Sequence, residues 1–229
     1  MLRSALLAPL LVVLFILPAC GSAPSNPNTL LSDAKFSIDH SGSLHFHIES
    51  DESVIKAPGA YLISGDGDAK RPDIFSGDVD ASVDGLRVPV KILSINGNFY
   101  VQIPFSNTWD IAHPNDYGFS DPSTLIDPSG GLSSLLTGGS NVTLLDRYRL
   151  NGEELEDVST TVSAAKITAF ISTANPSRSV TVKFGVDVSS HQLRQVVLTG
   201  LYLAGASSPV TYTITLTDYG KSVDVTPPA

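Results

Sequence analysis

The sequence predicts an α+β fold in which one antiparallel sheet turns a single apolar face toward a few short helices. Three observations predict it. Apolar and polar residues alternate with a period of two through most of the chain, the pattern of strands with one dry face. Two-residue turn signals, Asp84-Gly85 and Asn96-Gly97, separate such runs and join them as hairpins. Helical spacing occurs only in short stretches, fewer than a second layer of its own would need.

Taken in order, Thr29 to Ser41 places Leu30, Leu31, Ala34 and Ile38 on one helical stripe, with Gly42 as the stop. The period then changes: Leu44, Phe46 and Ile48 alternate with His45, His47 and Glu49. Phe75, Val79, Ala81 and Val83 alternate with Asp78, Asp80 and Ser82. Beyond the Asp84-Gly85 turn, Val88, Val90 and Ile92 alternate with Arg87, Pro89 and Lys91. Pro89 has no N–H to give to a ladder, so it implies an edge or a bulge. After Asn96-Gly97, Phe99, Val101 and Ile103 alternate with Tyr100 and Gln102.

The middle of the chain differs. Asp121-Pro122 and Asp127-Pro128 each set a carboxylate before a proline, the chemistry of an N-cap followed by the first helical position. Two short helices are expected here, with Leu125, Ile126, Leu132, Leu135 and Leu136 on their apolar side and Gly138-Gly139 as the end. Thr160 to Ser172 reads as strand and then short helix. Val180 to Val188 alternates, Ser189 to Gln192 turns, Leu193 to Thr199 returns, and Val210, Tyr212, Ile214 and Leu216 alternate again. Asp218 to Val225 is expected to add a last edge piece. Roughly eight to eleven strands against three or four short helices leave the apolar face thinly covered, a hint of a hollow.

The N-terminus carries a different signal. Ala5 to Ala19 holds no charge and follows Arg3; at about 15 residues it suits a secretory signal and falls short of a membrane-spanning helix. It ends at Cys20, the one cysteine in 229 residues. A lone thiol cannot form a disulfide within its chain and supplies too few ligands for a metal. Leu17-Pro18-Ala19-Cys20 resembles the bacterial lipobox, whose cysteine receives diacylglycerol and becomes the first residue of the mature protein. Residues 1–19 are therefore expected to be a signal peptide and residues 20–28 a lipidated, flexible tether. Residues 29–229 are expected to form a single domain.

With 23 acidic against 14 basic residues the formal net charge is −9. Such a chain repels nucleic acid and anionic surfaces, so membrane attachment rests on the anchor and not on charge. The motifs G-x-S-x-G, G-x-x-x-x-G-K-[ST] and G-x-G-x-x-G before a helix do not occur, and no nucleophile-base arrangement can be assigned. An enzyme is not expected, nor a cofactor or metal. Gly65-Asp66-Gly67-Asp68 has the spacing of a calcium loop without its later ligands, and reads as a solvated turn. His45 and His47 read as the wet side of a strand, His40, His113 and His191 as surface residues, and Asp78, Asp80 and Asp84 as an outward face. Trp109 is either a loop anchor or an interface residue.

Several blocks together resemble one family, the LppX/LprAFG lipoproteins of the mycobacterial cell envelope: residues 76–85, 95–103, 121–136, 148–154, 186–200 and 219–228, with the lipobox at 17–20. The resemblance implies a LolA-like curved antiparallel half-barrel with short helices over its concave face and an apolar cavity for the acyl chains of a lipid. It also implies the binding of acylated lipids or glycolipids and their carriage from the plasma membrane into the envelope, with an efflux transporter as a partner. Alternation then assigns the cavity wall to Val79, Ala81, Val83, Val88, Val90, Ile92, Phe99, Val101 and Ile103, and its cover to Leu132, Leu135 and Leu136. The competing reading is a surface lipoprotein with a filled core, acting in signalling or scaffolding without transport.

Overall fold

In the computed structural model, which describes residues 25–51 and 59–228, the chain enters its fold through a capped helix. The signal segment and Cys20 lie outside the described residues. The Asn26 side chain accepts hydrogen bonds from the N–H groups of Asn28 and Thr29, at 2.9 and 3.4 Å, and Pro27 occupies the first turn. Helix α1 accordingly spans Pro27–Asp39, two residues ahead of the expected start, because Asn26-Pro27 supplies the cap and pre-set φ together. Leu30, Leu31, Ala34 and Ile38 are its buried stripe, as their spacing requires.

Eleven strands follow: β1 Ser43–Ser50, β2 Ala60–Lys70, β3 Ile74–Val83, β4 Leu86–Ile95, β5 Asn98–Gln102, β6 Asp110–Ile111, β7 Ser140–Leu150, β8 Glu153–Ser163, β9 Ser179–Asp187, β10 Leu193–Gly200 and β11 Val210–Thr217. They form one antiparallel sheet in the order β6-β5-β4-β3-β2-β1-β11-β10-β9-β8-β7. Two meanders are thus joined where the first strand pairs with the last, from His45 opposite Thr217 to Ser50 opposite Tyr212. The hairpin turns have positive φ at both central residues, Asp84-Gly85, Asn96-Gly97 and a third at Asn151-Gly152, as type I′ turns demand. Pro89 sits where β4 extends past β5, whose pairing stops at Lys91 opposite Gln102, so that side of the strand is a local edge.

The segments expected to be short helices are tighter than that. Pro122–Ile126, Leu132–Leu136 and Ala164–Ala169 are 3-10 turns, as is Pro114–Tyr117. Asp121 caps the first of these, accepting from Ser123 N–H. Asp127 does not open the next; it closes the first and accepts from Ser129 through both N–H and hydroxyl at 2.7 Å. The following turn begins after Gly131, where any β-carbon would press on the carbonyls of Leu125, Thr124 and Asp127 within 2.7 Å. Asp218 to Val225 forms no strand. It crosses the sheet end held by side chains: Tyr219 donates to the Leu193 carbonyl, Ser43 to that of Lys221 and Lys70 to that of Val223.

The β9–β10 turn rests on Asp187, which is buried and accepts from Ser189 and Ser190 through both of their N–H groups and both hydroxyls, at 2.6–3.2 Å. Burial alone would raise its pKa, and these hydrogen bonds outweigh burial and hold it below the ordinary carboxylate range. A depressed carboxyl adds stability above the unfolded pKa of about 3.9 and loses it as pH falls through the folded value. Asp187→Asn should therefore cost about 1.5–3 kcal/mol at pH 7, and the gap to wild type in denaturant melts should narrow below about pH 4.

Candidate lipid-binding site

Register places one continuous apolar row across the sheet. Val158 lies opposite Phe184, Phe184 opposite Val196, Val196 opposite Ile214, Ile214 opposite Ile48, Ile48 opposite Gly65, Gly65 opposite Val79 and Val79 opposite Val90. A second row runs Leu216, Phe46, Gly67, Gly77, Ile92, Val101. Both rows lose their side chains at the same place, because Gly65, Gly67 and Gly77 adjoin one another in β2 and β3. The ring of Phe75 lies over that depression: a β-carbon on Gly67 would stand 2.6 Å from Phe75 Cζ. One on Gly65 would stand 2.8 Å from Val79 Cγ1. The Gly65 to Asp68 stretch is therefore the interior of a strand and not a turn; glycine is required there by close approach on the dry face.

Over the depression lie Phe119, Pro122 and Leu125 from one segment and Phe170 and Ile171 from another. The cover is tied down by few polar contacts. Ser94, buried in β4, donates to the Asp121 carboxylate at 2.7 Å, and Ser120 bonds to the carbonyls of Phe170 and Thr168. Between cover and sheet remains an apolar void of about 50 Å³, bounded also by Phe46, Ile48, Leu62, Phe75, Val79, Ile92 and Ile214. Ligand pockets are larger, at about 300–1,000 Å³. Phe119, Leu125, Phe170 and Ile171 of the cover narrow the hollow hinted at by the sparse helices.

Of the expected wall residues, Val79 and Ile92 line the void. Ala81, Val90, Phe99 and Val101 are buried on the same face, and Phe99 meets Phe119 edge-on at 5.9 Å between ring centres. Val83 and Val88 are partly buried toward the strand ends. Ile103 lies beyond β5 and is 46% exposed. Leu132, Leu135 and Leu136 are buried in the core beside α1 and do not border the void. Phe46, Phe75, Phe119, Leu125, Phe170 and Ile171 also border the void and were not assigned to its wall or cover by sequence reasoning; the signal that would have found them is the glycine triplet.

The opposite face carries a polar row in the same register: His47, Asp66, Asp78, Lys91, Gln102. Asp66 accepts from His45 Nε2 and His47 Nδ1 at 3.0 and 2.9 Å, and Asp68 pairs with His45 Nδ1 at 2.7 Å and Lys221 at 2.8 Å. Partial burial would raise the Asp68 pKa, and its bonds to Lys221 and His45 outweigh that and lower it. Among the described residues no cluster of three or more His, Cys, Asp or Glu side chains is arranged to hold a metal.

The family model described as LppX_LprAFG lipoprotein matches residues 26–225. The chain belongs to the LppX_LprAFG lipoprotein family. Among its relatives, the lipoarabinomannan carrier protein LprG of Mycobacterium tuberculosis (strain H37Rv) is 24% identical over 236 residues, covering 99% of this chain and 95% of that protein. LprG of Mycolicibacterium hassiacum is 25% identical over 239 residues, covering 99% and 97%. The crystal structure of LprF from Mycobacterium bovis superposes with a TM-score of 0.70 at 18% identity, over 89% of this chain and 97% of that one. That of LppX from Mycobacterium tuberculosis gives 0.61 at 14%, over 87% and 98%. The family fold is thus a broad antiparallel sheet with sparse helical cover.

Gly67→Val puts two methyls where Phe75 Cζ and the Ser76 carbonyl already stand within 2.7 Å of the β-carbon position. The substitution should lower stability by about 1–3 kcal/mol, read as a fall in melting temperature.

Proposed function

We propose that this chain is a membrane-anchored lipoprotein that binds acylated lipids, glycolipids among them, between the apolar sheet face and its cover. It carries them from the plasma membrane into the cell envelope. The supporting observation is the glycine-floored depression beneath a cover of 3-10 turns. Such turns have little stability of their own and keep their place by lying on the sheet. An acyl chain that displaces Phe119, Leu125, Phe170 and Ile171 keeps the sheet face dry, so both arrangements bury comparable apolar area and differ little in free energy. That near balance suits a carrier, which must release as readily as it loads. The names of the LprG relatives point the same way. The anchor is the diacylated Cys20, and an efflux transporter is the expected partner in onward transfer.

The void of about 50 Å³ favours a second reading, a surface lipoprotein that keeps its core filled and transports nothing. Native mass spectrometry of protein purified from a lipid-rich mycobacterial host separates the two: co-purified multi-acyl species support carriage, and a lipid-free protein supports the filled core. Val79→Trp, which plugs the depression, should lower the lipid-bound fraction several-fold. An unchanged fraction would place the lipid elsewhere. For the anchor, Cys20→Ala should leave a protein without lipid modification on intact-mass analysis; a mass showing acylation in that variant would remove Cys20 from the role.

A further inference from the structure

The sheet has two ends, and one of them gathers features that the fold does not need. At this end lie the β3–β4 hairpin, the β10–β11 connection and the start of β7, together with the first turn of α1. Asn28, Leu31 and Ser32 border Gly138, Gly139 and Thr160 there. At the same end Leu86, the first residue of β4, is 71% exposed. Also at this end, the chain leaving β5 makes a turn closed by Ser106 N–H to the Ile103 carbonyl at 3.2 Å. Phe105 stands at its tip, fully exposed, with a φ of 66°.

A bulky aromatic in the left-handed region is a rare conformation, and full exposure adds the cost of a wetted ring. Strain of this kind persists where surroundings or function require it. The stretch from Ile103 to Trp109 contains no charged residue, although the chain as a whole is acidic. Uncharged aromatic tips next to water are what the boundary between head groups and acyl chains accommodates. Arg87, beside Leu86 and 59% exposed on its side chain, has its guanidinium neutralised by Asp80.

We propose that this end of the sheet rests directly on the lipid bilayer, with Phe105 and Leu86 inserted at the level of the head groups. The placement rests on the Cys20 anchor reading for its geometry. Six residues separate Cys20 from Pro27, a reach of about 20 Å, and the first turn of α1 lies at this same end. The tether therefore enters the fold at the same end of the strands as this rim and brings that end toward the membrane.

Trp109 is the only tryptophan and belongs to the loop in question, so its fluorescence reads the contact without a label. The full chain, acylated and reconstituted in phosphatidylcholine vesicles with brominated acyl chains, should show Trp109 quenched relative to unbrominated vesicles. In the Leu86→Ser/Phe105→Ser variant, whose side chains are exposed and leave the core intact, the quenching should fall at least threefold. The wild-type and variant lipid-bound fractions, measured by native mass spectrometry, should be equal. Sedimenting protein without quenching overturns the docking and leaves anchor and carriage standing. Quenching unchanged in the variant removes Phe105 and Leu86 from the contact, and a dimer on light scattering with no quenching assigns the rim to a second copy. Protein that fails to sediment with vesicles overturns the docking and the anchor together.

Discussion

The paired side chains from Val158 to Val90 spread apolar surface across eight neighbouring strands, and water has to be kept off all of it. Each valine, isoleucine or phenylalanine so buried contributes roughly 1.5–3 kcal/mol, which makes this face the main source of stability. α1 covers part of it with a capped helix and a continuous buried stripe. The remainder lies under 3-10 turns and the loops between them, which owe their place to the surface beneath. The division is between a cover with internal stability and a cover without it, and the glycine depression lies under the second kind.

The other side of the same strands solves an electrostatic problem. An acidic chain has carboxylates to place, and β2 sets Asp66 and Asp68 outward where β1 offers His45 and His47 in register. Lys221, from the segment after the last strand, closes on Asp68 and ties the C-terminal stretch to the sheet centre. Strand alternation thus links the two faces. The glycines that shape the dry side are spaced by the aspartates that organise the wet one, so neither set can shift register without the other.

Much of this was legible beforehand, for identifiable reasons. The hairpins at Asp84-Gly85 and Asn96-Gly97 rest on backbone conformations that few residues adopt, so local composition suffices to place them. The alternation in β3, β4, β9 and β11 reports a one-sided environment directly. β7 escapes that logic because it is an edge strand on which Val142 and Leu144 are only partly buried, and its sequence carries no clean period. Gly65 to Asp68 has the composition of a turn and the position of a strand; only the neighbours of β2 decide between them. The narrowness of the void was equally out of reach. Whether phenylalanines and leucines of a cover fill the hollow or stand off from it depends on loop paths that periodicity does not encode.

The junction of β1 with β11 has a consequence for how the molecule comes to be. His45 and Thr217 are neighbours in space and roughly 170 residues apart in the chain, so the central seam is the most non-local pairing in the sheet. A chain emerging N-terminus first builds β1 to β6 early and then holds the unpaired edge of β1 until its last strand arrives. Any product that stops short of β11 is left with two separate half-sheets, each with a raw edge. Completeness of the chain is thus a precondition for a closed centre, and truncation is felt in the middle of the molecule and not at its margin.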